Sequence, residues 1–387
     1  MPPPVDALSP SWNSEGKGRR TIIASILAAF AYTCFADSAE PLIEVAPAVL
    51  AVGREGITGA GWAVASGEGD IARITLHYPD HPDDFGGSAG TGTAISEDGG
   101  QTWTSGTGDW PLPGMVDLWQ DRLRDGRFVA LGIRWLPDPK RRGEITASEV
   151  PHDAWKIAFS GNGKDWSVDN AAIDCPAEYG VVARPLPRFI EGSDGTLLMP
   201  AYAWGKTGNR SLLLQSTDGG RRWSVQSVIT SAAEMVKAGA AVTTPWLETT
   251  VSPTADGSWL AVIRTGSSET AGLMMARSPD EGRTWGPVGK VLAGPDSQPV
   301  TGKLPGLLRM PDGPLVLLTA HSKRGCFLYL SADGTGRGWS EGQVVTTVTG
   351  GNTSMTALGR DRLLVFTPAN RRIHCWRVSL RPTPSNP

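Results

Sequence analysis

The sequence predicts an all-β protein with the fold of a six-bladed β-propeller, and three observations lead to this prediction. A Ser-x-Asp-Gly-Gly-x-x-Trp motif, or a variant of it, recurs five times along the chain. A second motif, a turn of the Asp-Gly type followed by an apolar strand, recurs six times and alternates with the first. No long helical pattern interrupts them, so each unit is expected to hold four antiparallel strands, as a propeller blade does.

The first motif, which we call the Asp box, is predicted to be a turn between two strands. Its Ser and Asp side chains bond backbone N–H groups, and its glycines supply positive φ angles. The Trp then packs against its neighbours. Because five copies cannot all be catalytic, we interpret the motif as structural. The copies span residues 96–103, 160–166, 216–223, 278–285 and 331–339, spaced 64, 56, 62 and 53 residues apart.

The second motif sets the number of blades. Four clear copies combine an Asp-Gly turn with an apolar run, and two weaker copies lie near the ends of the repeat region. Each unit therefore reads strand, Asp-Gly turn, strand, strand, Asp box, strand. The copies span residues 68–78, 125–135, 194–204, 256–266, 312–322 and 360–370, which makes six blades.

Composition excludes several classes of protein. The 387 residues carry a formal net charge of -3, without the basic excess typical of nucleic-acid binding. The four cysteines show no CxxC spacing, and the five histidines are scattered apart from the weak pair His77/His81. We therefore expect no metal site, no disulfide scaffold, no cofactor and no nucleic-acid partner.

Residues 1–38 are predicted to be a signal peptide with an N-terminal extension. Lys17, Arg19 and Arg20 precede an apolar run over residues 22–35 that is too short to span a membrane comfortably, and small residues follow it. Cleavage near Ser38 leaves residues 39–387 as the propeller domain, a secreted or periplasmic monomer without membrane attachment. An uncleaved anchor is the alternative.

The order of turns also predicts where a ligand binds. The Asp-Gly turns and Asp boxes fall on one face, so the start of each first strand and the end of each second strand lie on the opposite face. Convergent polar groups there form the default binding site. Glu248 stands out because it starts an apolar inner strand, where an unpartnered carboxylate is costly. The register assigns to this mouth Asp117, Arg134, Arg184, Leu186, Tyr202, Glu248, Arg264, Leu304 and Asn352.

Taken together, these motifs resemble the sialidase (neuraminidase) superfamily. Segment 247–266, LETTVSPTADGSWLAVIRTG, is similar to the family's inner strand, with Glu248 followed sixteen residues later by Arg264. The resemblance implies that the Glu tunes a Tyr nucleophile and that the Arg binds the substrate carboxylate. Segment 302–324 resembles the blade with another such arginine, here Arg324. Segment 84–100 resembles the one with the acid/base Asp, here Asp84 with Asp83 as the alternative.

Two positions depart from the family pattern. Residues 57–61 contain no arginine where the family has an Arg-Ile-Pro motif, and Asn352 stands where the nucleophilic Tyr is expected. Glu248 could then act directly, as nucleophile or as base for water, with Asp84 as the acid. Arg264 and Arg324 would hold an acidic group bidentately.

Three functions follow as hypotheses. The first is an exo-acting glycoside hydrolase of sialidase type that removes a terminal acidic sugar, sialic acid or a related one, from a glycan. The alternative is a catalytically inactive propeller that binds an acidic glycan, which the missing Tyr and Arg favour. A third is a purely structural interaction propeller. Retention of Glu248, Arg264 and Asp84 favours the enzyme.

Overall fold

The strands form six antiparallel groups that follow one another along the chain. The computed structural model describes residues 43–57, 59–79, 91–106, 112, 115, 117–186, 188–266, 270–311, 313–348 and 351–380. We call the groups blades 1 to 6 and number the strands in chain order. The predicted leader, residues 1–38, lies outside the described residues.

The first two strands of the described chain belong to the last blade, and blades 1 to 3 follow them. The two early strands are β1 (Ile43–Val45) and β2 (Val49–Val52). Blade 1 contains β3 (Trp62–Ser66), β4 (Arg73–Pro79), β5 (Thr91–Ser96) and β6 (Thr104–Ser105). Blade 2 contains β7 (Asp117–Arg122), β8 (Phe128–Ile133), β9 (Trp155–Ser160) and β10 (Trp166–Asp174). Blade 3 contains β11 (Val181–Pro185), β12 (Ile190–Glu191), β13 (Leu197–Gly205), β14 (Gly208–Ser216) and β15 (Arg222–Ser231).

Blades 4 to 6 complete the unit, with a short hairpin between blades 4 and 5. Blade 4 contains β16 (Thr249–Pro253), β17 (Trp259–Ile263), β18 (Met274–Ser278) and β19 (Gly289–Lys290), and the hairpin is β20 (Leu292–Ala293) with β21 (Gln298–Pro299). Blade 5 contains β22 (Lys303–Arg309), β23 (Leu315–His321), β24 (Gly325–Ser331) and β25 (Gln343–Thr346). Blade 6 contains β26 (Ser354–Ala357), β27 (Arg362–Ala369) and β28 (Arg372–Leu380). The helices are α1 (Ala232–Lys237) and the 3-10 turns Gly69–Ile71, Pro139–Arg141 and Ala147–Glu149.

The ring closes where the two ends of the described chain meet. Strands β1 and β2 pair antiparallel with β28, so the start of the chain supplies the outer edge of blade 6. Strand β26 contacts β3, which joins blade 6 to blade 1. The outer strands β10 and β15 also pair with each other in parallel, which links blades 2 and 3 into one sheet. The predicted β-propeller is confirmed.

Burial of the second strand in each blade explains why the second motif contains an apolar run. Strands β13, β17 and β23 are buried along their whole length. A strand covered on both faces reads as a continuous apolar run rather than as an alternation. The outer strand β10, by contrast, is mostly exposed or half-buried. Hydrophobic clusters accordingly lie between successive blades, such as the one that joins Leu213 of blade 3 to Val251 and Ile263 of blade 4.

The Asp boxes join the third strand of a blade to the fourth, as predicted. In blade 3, Ser216 Oγ accepts the N–H of Gly220 at 2.8 Å and donates to Asp218 Oδ1 at 2.9 Å. The indole of Trp223, fully buried, donates to the Gly220 carbonyl at 2.8 Å. Gly220 has a φ of +84°, which explains the glycine there. The box is therefore a structural turn.

Two further sequence expectations concern the cysteines and the membrane. Among the described residues, Cys175, Cys326 and Cys375 are free thiols, and Cys326 and Cys375 are buried. Among the residues that the structure describes, no helix has both the length and the apolar character needed to cross a bilayer.

Candidate functional site

Inner strands of five blades enclose a cavity at the end of the channel remote from the Asp boxes. Its cavity volume is about 30 Å³, within about 530 Å³ of empty space that includes the open solvent above it. Of the nine residues that the register of the turns assigned to this mouth, five line the cavity: Asp117, Arg184, Leu186, Leu304 and Asn352. The other four, Arg134, Tyr202, Glu248 and Arg264, are not among its lining residues. The complete lining among the described residues is Gly59, Ala60, Gly61, Trp62, Pro79, Asp117, Leu118, Trp119, Arg184, Leu186, Leu304, Asn352 and Thr353. We call it the central cavity.

An ion pair between blades 2 and 3 forms one side of the central cavity. Asp117 begins β7, and Arg184 follows a register shift in β11 opposite Tyr202. Their carboxylate and guanidinium are in contact, with side chains only 14% and 8% exposed. A buried charge of either sign requires such a partner, so each residue explains the presence of the other.

A second buried ion pair, between Glu248 and Arg264, adjoins the cavity through Leu304. Arg264 Nη1 donates to Glu248 Oε2 at 2.8 Å, and the side chains of Arg264 and Glu248 are 9% and 7% exposed. The same oxygen accepts the N–H of Leu304 at 2.9 Å. Oε1 accepts no hydrogen bond from any described residue.

Arg264 is oriented by three contacts. Its Nε donates to the Gly266 carbonyl at 2.7 Å, and its guanidinium lies over the Trp246 ring, 5.7 Å from the centroid. The third contact is the bond to Glu248, whose carbonyl also accepts the Arg264 N–H at 2.8 Å. The guanidinium is therefore held in one orientation by Nε and Nη1, while its Nη2 makes no hydrogen bond to the described residues.

Leu304, whose N–H donates to the Glu248 carboxylate, adopts an unusual backbone conformation. Its φ is +41°, in the left-handed region that costs an L-residue roughly 1–2 kcal/mol. The pairing of β22 with β23 shifts register between Lys303 and Gly306, so the N–H of Leu304 is released from the ladder. That N–H points instead at the carboxylate. The strain thus coincides with a hydrogen bond to the candidate catalytic residue.

Asn352 and Thr353 form a polar edge of the cavity on blade 6. The Asn352 carbonyl accepts the N–H of Ala60 at 3.0 Å, which fixes this segment against blade 1. The Thr353 hydroxyl is buried without a hydrogen-bond partner among the described residues. The Asn352 side-chain amide likewise makes no hydrogen bond to them. This edge offers groups that both donate and accept.

Arg188, which is not among the cavity-lining residues, contacts both blade 2 and blade 6. Its guanidinium donates to the Met355 carbonyl at 2.5 Å and lies 3.6 Å from the carboxylate of Asp121, four residues after Asp117 on β7. Burial raises the pKa of Asp121, and the charge of Arg188 opposes that rise. Blades 2, 3 and 6 are thereby joined across the channel.

Several predicted site residues lie elsewhere. Arg324 is exposed, stacks on Phe327 and lines a separate groove with Tyr329, so it does not reach the central cavity. Tyr202 is buried in the cluster between blades 3 and 4. Arg134 forms an exposed ion pair with Asp153 at 2.6 Å.

The predicted acid/base residue, Asp84, and its alternative Asp83 lie outside the described residues. Within the described ranges, no three His, Cys, Asp or Glu side chains come together as a metal site.

Sequence reasoning missed Trp62, Trp119 and Thr353, which all line the cavity. Trp62 begins β3 and Trp119 lies two residues after Asp117 on β7, on the same side of the strand. Counting two positions onward from Asp117 would have found Trp119. Thr353 adjoins a predicted residue, but its unpartnered hydroxyl is visible only in the structure.

Comparisons with known proteins identify the architecture. The model of a BNR repeat-like domain matches residues 143–371, more than half of the chain. No curated protein sequence matches this chain. Among solved structures, it is similar to a protein of unknown function from Dyadobacter fermentans DSM 18053, with 18% identity, a TM-score of 0.64, and coverage of 88% of this chain and 100% of that one.

Two further solved structures share the fold. A Hadza microbial sialidase is 17% identical with a TM-score of 0.60, and the match covers 84% of this chain and 66% of that one. A Penicillium chrysogenum α-L-arabinanase, complexed with arabinobiose, is 13% identical with a TM-score of 0.55, covering 87% and 99% of the two chains. At these identities the likeness establishes the fold.

Proposed function

This chain belongs to the BNR repeat-like domain family, and from that premise we propose that it is an exo-acting glycoside hydrolase that removes a terminal sugar from a glycan. The single observation that carries the proposal is Glu248, a buried carboxylate beside the central cavity that keeps one oxygen without a hydrogen bond to the described residues. The fold is shared with proteins named as a sialidase and an arabinanase, which supports a glycosidase of this general kind.

Glu248 is assigned the anionic role in the reaction. Glycoside hydrolysis passes through an oxocarbenium-like transition state, which needs an acid at the leaving oxygen and an anion or activated water at the anomeric carbon. Arg264 and the Leu304 N–H both bind Oε2 and so hold the carboxylate in one orientation. Oε1 is then the atom that attacks the sugar or takes a proton from water. Asp84 is the proposed acid, on the strength of the sialidase resemblance.

The proposed action on chain ends follows the sialidase resemblance. Arg188 supports it by joining blades 2, 3 and 6 across the channel beyond the cavity. The resemblance to sialidases implies an acidic terminal sugar, an implication that the paired charges of the site do not support. Arg264 Nη2 is assigned as a donor to an oxygen of the sugar. We also propose that the protein is a secreted or periplasmic monomer.

Hydrolysis is tested with a panel of 4-methylumbelliferyl glycosides that includes neutral, uronic and sialic sugars. Wild type is expected to cleave at least one, and Glu248→Gln to lower kcat/KM for it by at least about 100-fold. Asp169→Asn, which removes the acid of the exposed Asp169–Arg221 pair, is the matched control and should keep full activity. Full activity of Glu248→Gln would show that the site is assigned wrongly.

The second candidate is a carbohydrate-binding propeller without turnover. It is favoured by two observations: Asn352 occupies the position expected for a Tyr nucleophile, and both buried carboxylates of the mouth are neutralised by arginines. Cleavage of no glycoside, together with saturable binding to a glycan array that Glu248→Gln alters, would establish this function instead.

A further inference from the structure

The charge balance of the central cavity indicates the class of sugar that it takes. We infer that the terminal sugar bound there is uncharged, and that the site does not recognise a sugar carboxylate. The inference rests on the proposed function, since it concerns the ligand of the same site. It goes beyond that function by excluding the acidic sugars that the sialidase resemblance suggests.

Arg184 in the cavity lining and Arg264 in the adjoining ion pair are both already neutralised. Arg184 contacts Asp117, Arg264 contacts Glu248, and the two pairs together carry no net charge. A sugar carboxylate placed on either guanidinium would share it with a protein carboxylate at close range. Like charges in a poorly solvated site repel strongly. The mouth therefore lacks the uncompensated positive charge that recognition of an acid requires.

Among the described residues, no further cation lines the central cavity. Arg184 is the one lysine or arginine among the described residues that line the cavity. Arg324 lines a separate groove, and Arg188 is engaged by Asp121 and a backbone carbonyl.

The available hydrogen-bonding groups suit hydroxyls. Glu248 Oε1 is an acceptor, whereas the Asn352 amide and the Thr353 hydroxyl can each donate and accept. A sugar hydroxyl uses both kinds of partner, but a carboxylate can only accept. Trp62 and Trp119 add apolar surface against which the C–H face of a sugar ring can pack.

The test compares sugars that differ only in a carboxylate. Wild type is screened on a glycan array with neutral and acidic terminal residues, and affinities are then measured by calorimetry for matched methyl glycosides such as galactoside and galacturonide, or glucoside and glucuronide. We expect the neutral member of a bound pair to bind at least about tenfold more tightly. Tighter binding of the acidic member would overturn the inference while leaving the hydrolase proposal intact.

A charge variant sharpens the test. Asp117→Asn keeps the side-chain shape and releases the charge of Arg184, so the preference for the neutral member should fall by about fivefold or more. Asp169→Asn, the exposed control, should leave it unchanged. An unaltered preference in a folded Asp117→Asn protein contradicts the inference. If that variant does not fold, the wild-type comparison decides alone. Binding of neither sugar class contradicts the inference and the proposed function together.

Discussion

Replacing Arg264 with Met should destabilise the protein strongly, because it leaves a buried carboxylate without its charged partner. Arg264→Met removes the 2.8 Å bond to Glu248 Oε2, the 2.7 Å bond to the Gly266 carbonyl and the stacking on Trp246. Side chains of this pair are less than 10% exposed, so solvent screens their interaction little. Breaking such a pair from one side costs about 3–5 kcal/mol.

The double variant separates the ion pair from the packing. When Glu248→Gln is combined with Arg264→Met, the stranded charge is gone, and the amide oxygen of the introduced glutamine can still accept the Leu304 N–H. We therefore expect the double variant to recover at least about 1.5 kcal/mol relative to Arg264→Met, a coupling within the usual range for contacting residues.

The assay is urea unfolding followed by tryptophan fluorescence, with the free energy of unfolding extrapolated to water. Arg221→Met is the matched control, because the Arg221–Asp169 pair has side chains 59% and 43% exposed. Exposed pairs contribute about 0–1 kcal/mol. A loss for Arg264→Met no larger than that for Arg221→Met would refute the reasoning.

Three other predictions follow from the turns and the thiols. Desolvation raises the pKa of Asp98, but hydrogen bonds within its turn outweigh this effect and lower the pKa to about 2. The ionised Asp98 therefore stabilises the folded protein fully above about pH 4, and this contribution is lost as the pH falls toward 2. Urea unfolding midpoints measured between pH 5 and pH 2 will show the loss. Gly180→Ala forces a Cβ into the Trp204 carbonyl oxygen at φ +84° and should lower the unfolding free energy by at least about 2 kcal/mol more than Gly195→Ala, whose φ is equal but whose surroundings are open. Because burial raises the pKa of Cys326 and Cys375, neither should be alkylated by iodoacetamide in the native protein at pH 8, as mass mapping can check.

The fold could be predicted because its repeated elements are local. An Asp box such as residues 216–223 is a self-contained turn, and an inner strand such as β23 is apolar throughout because both its faces are covered. Neither signal depends on distant parts of the chain. Counting strands between turns was therefore enough to place the mouth and five of its lining residues.

The contents of the site were harder to predict because they depend on side-chain direction across blades. The sequence could not show that Asp117 meets Arg184, or that Glu248 accepts the N–H of Leu304 from the next blade. Arg324 was assigned from a similar segment, yet it lies after the end of β23 and stacks on Phe327 outside the cavity. The position of a residue along a strand predicts how deep it lies in the channel, but it does not predict which side chain it contacts.

The pairing of β1 with β28 has a consequence for the order of events during synthesis. Ile43 lies opposite Leu380, so the first described strand finds its partner only in the last described strand, which is made much later. Until then β1 and β2 keep unpaired backbone groups, and blades 1 to 5 form an arc with an open edge at either end. Closing that arc joins residues far apart in sequence, which is a slow step in folding. In a nascent chain stalled before β27, the unpaired strands should therefore be cleaved by proteases or pair with a second copy. In the folded protein, β1 and β2 are paired with β28.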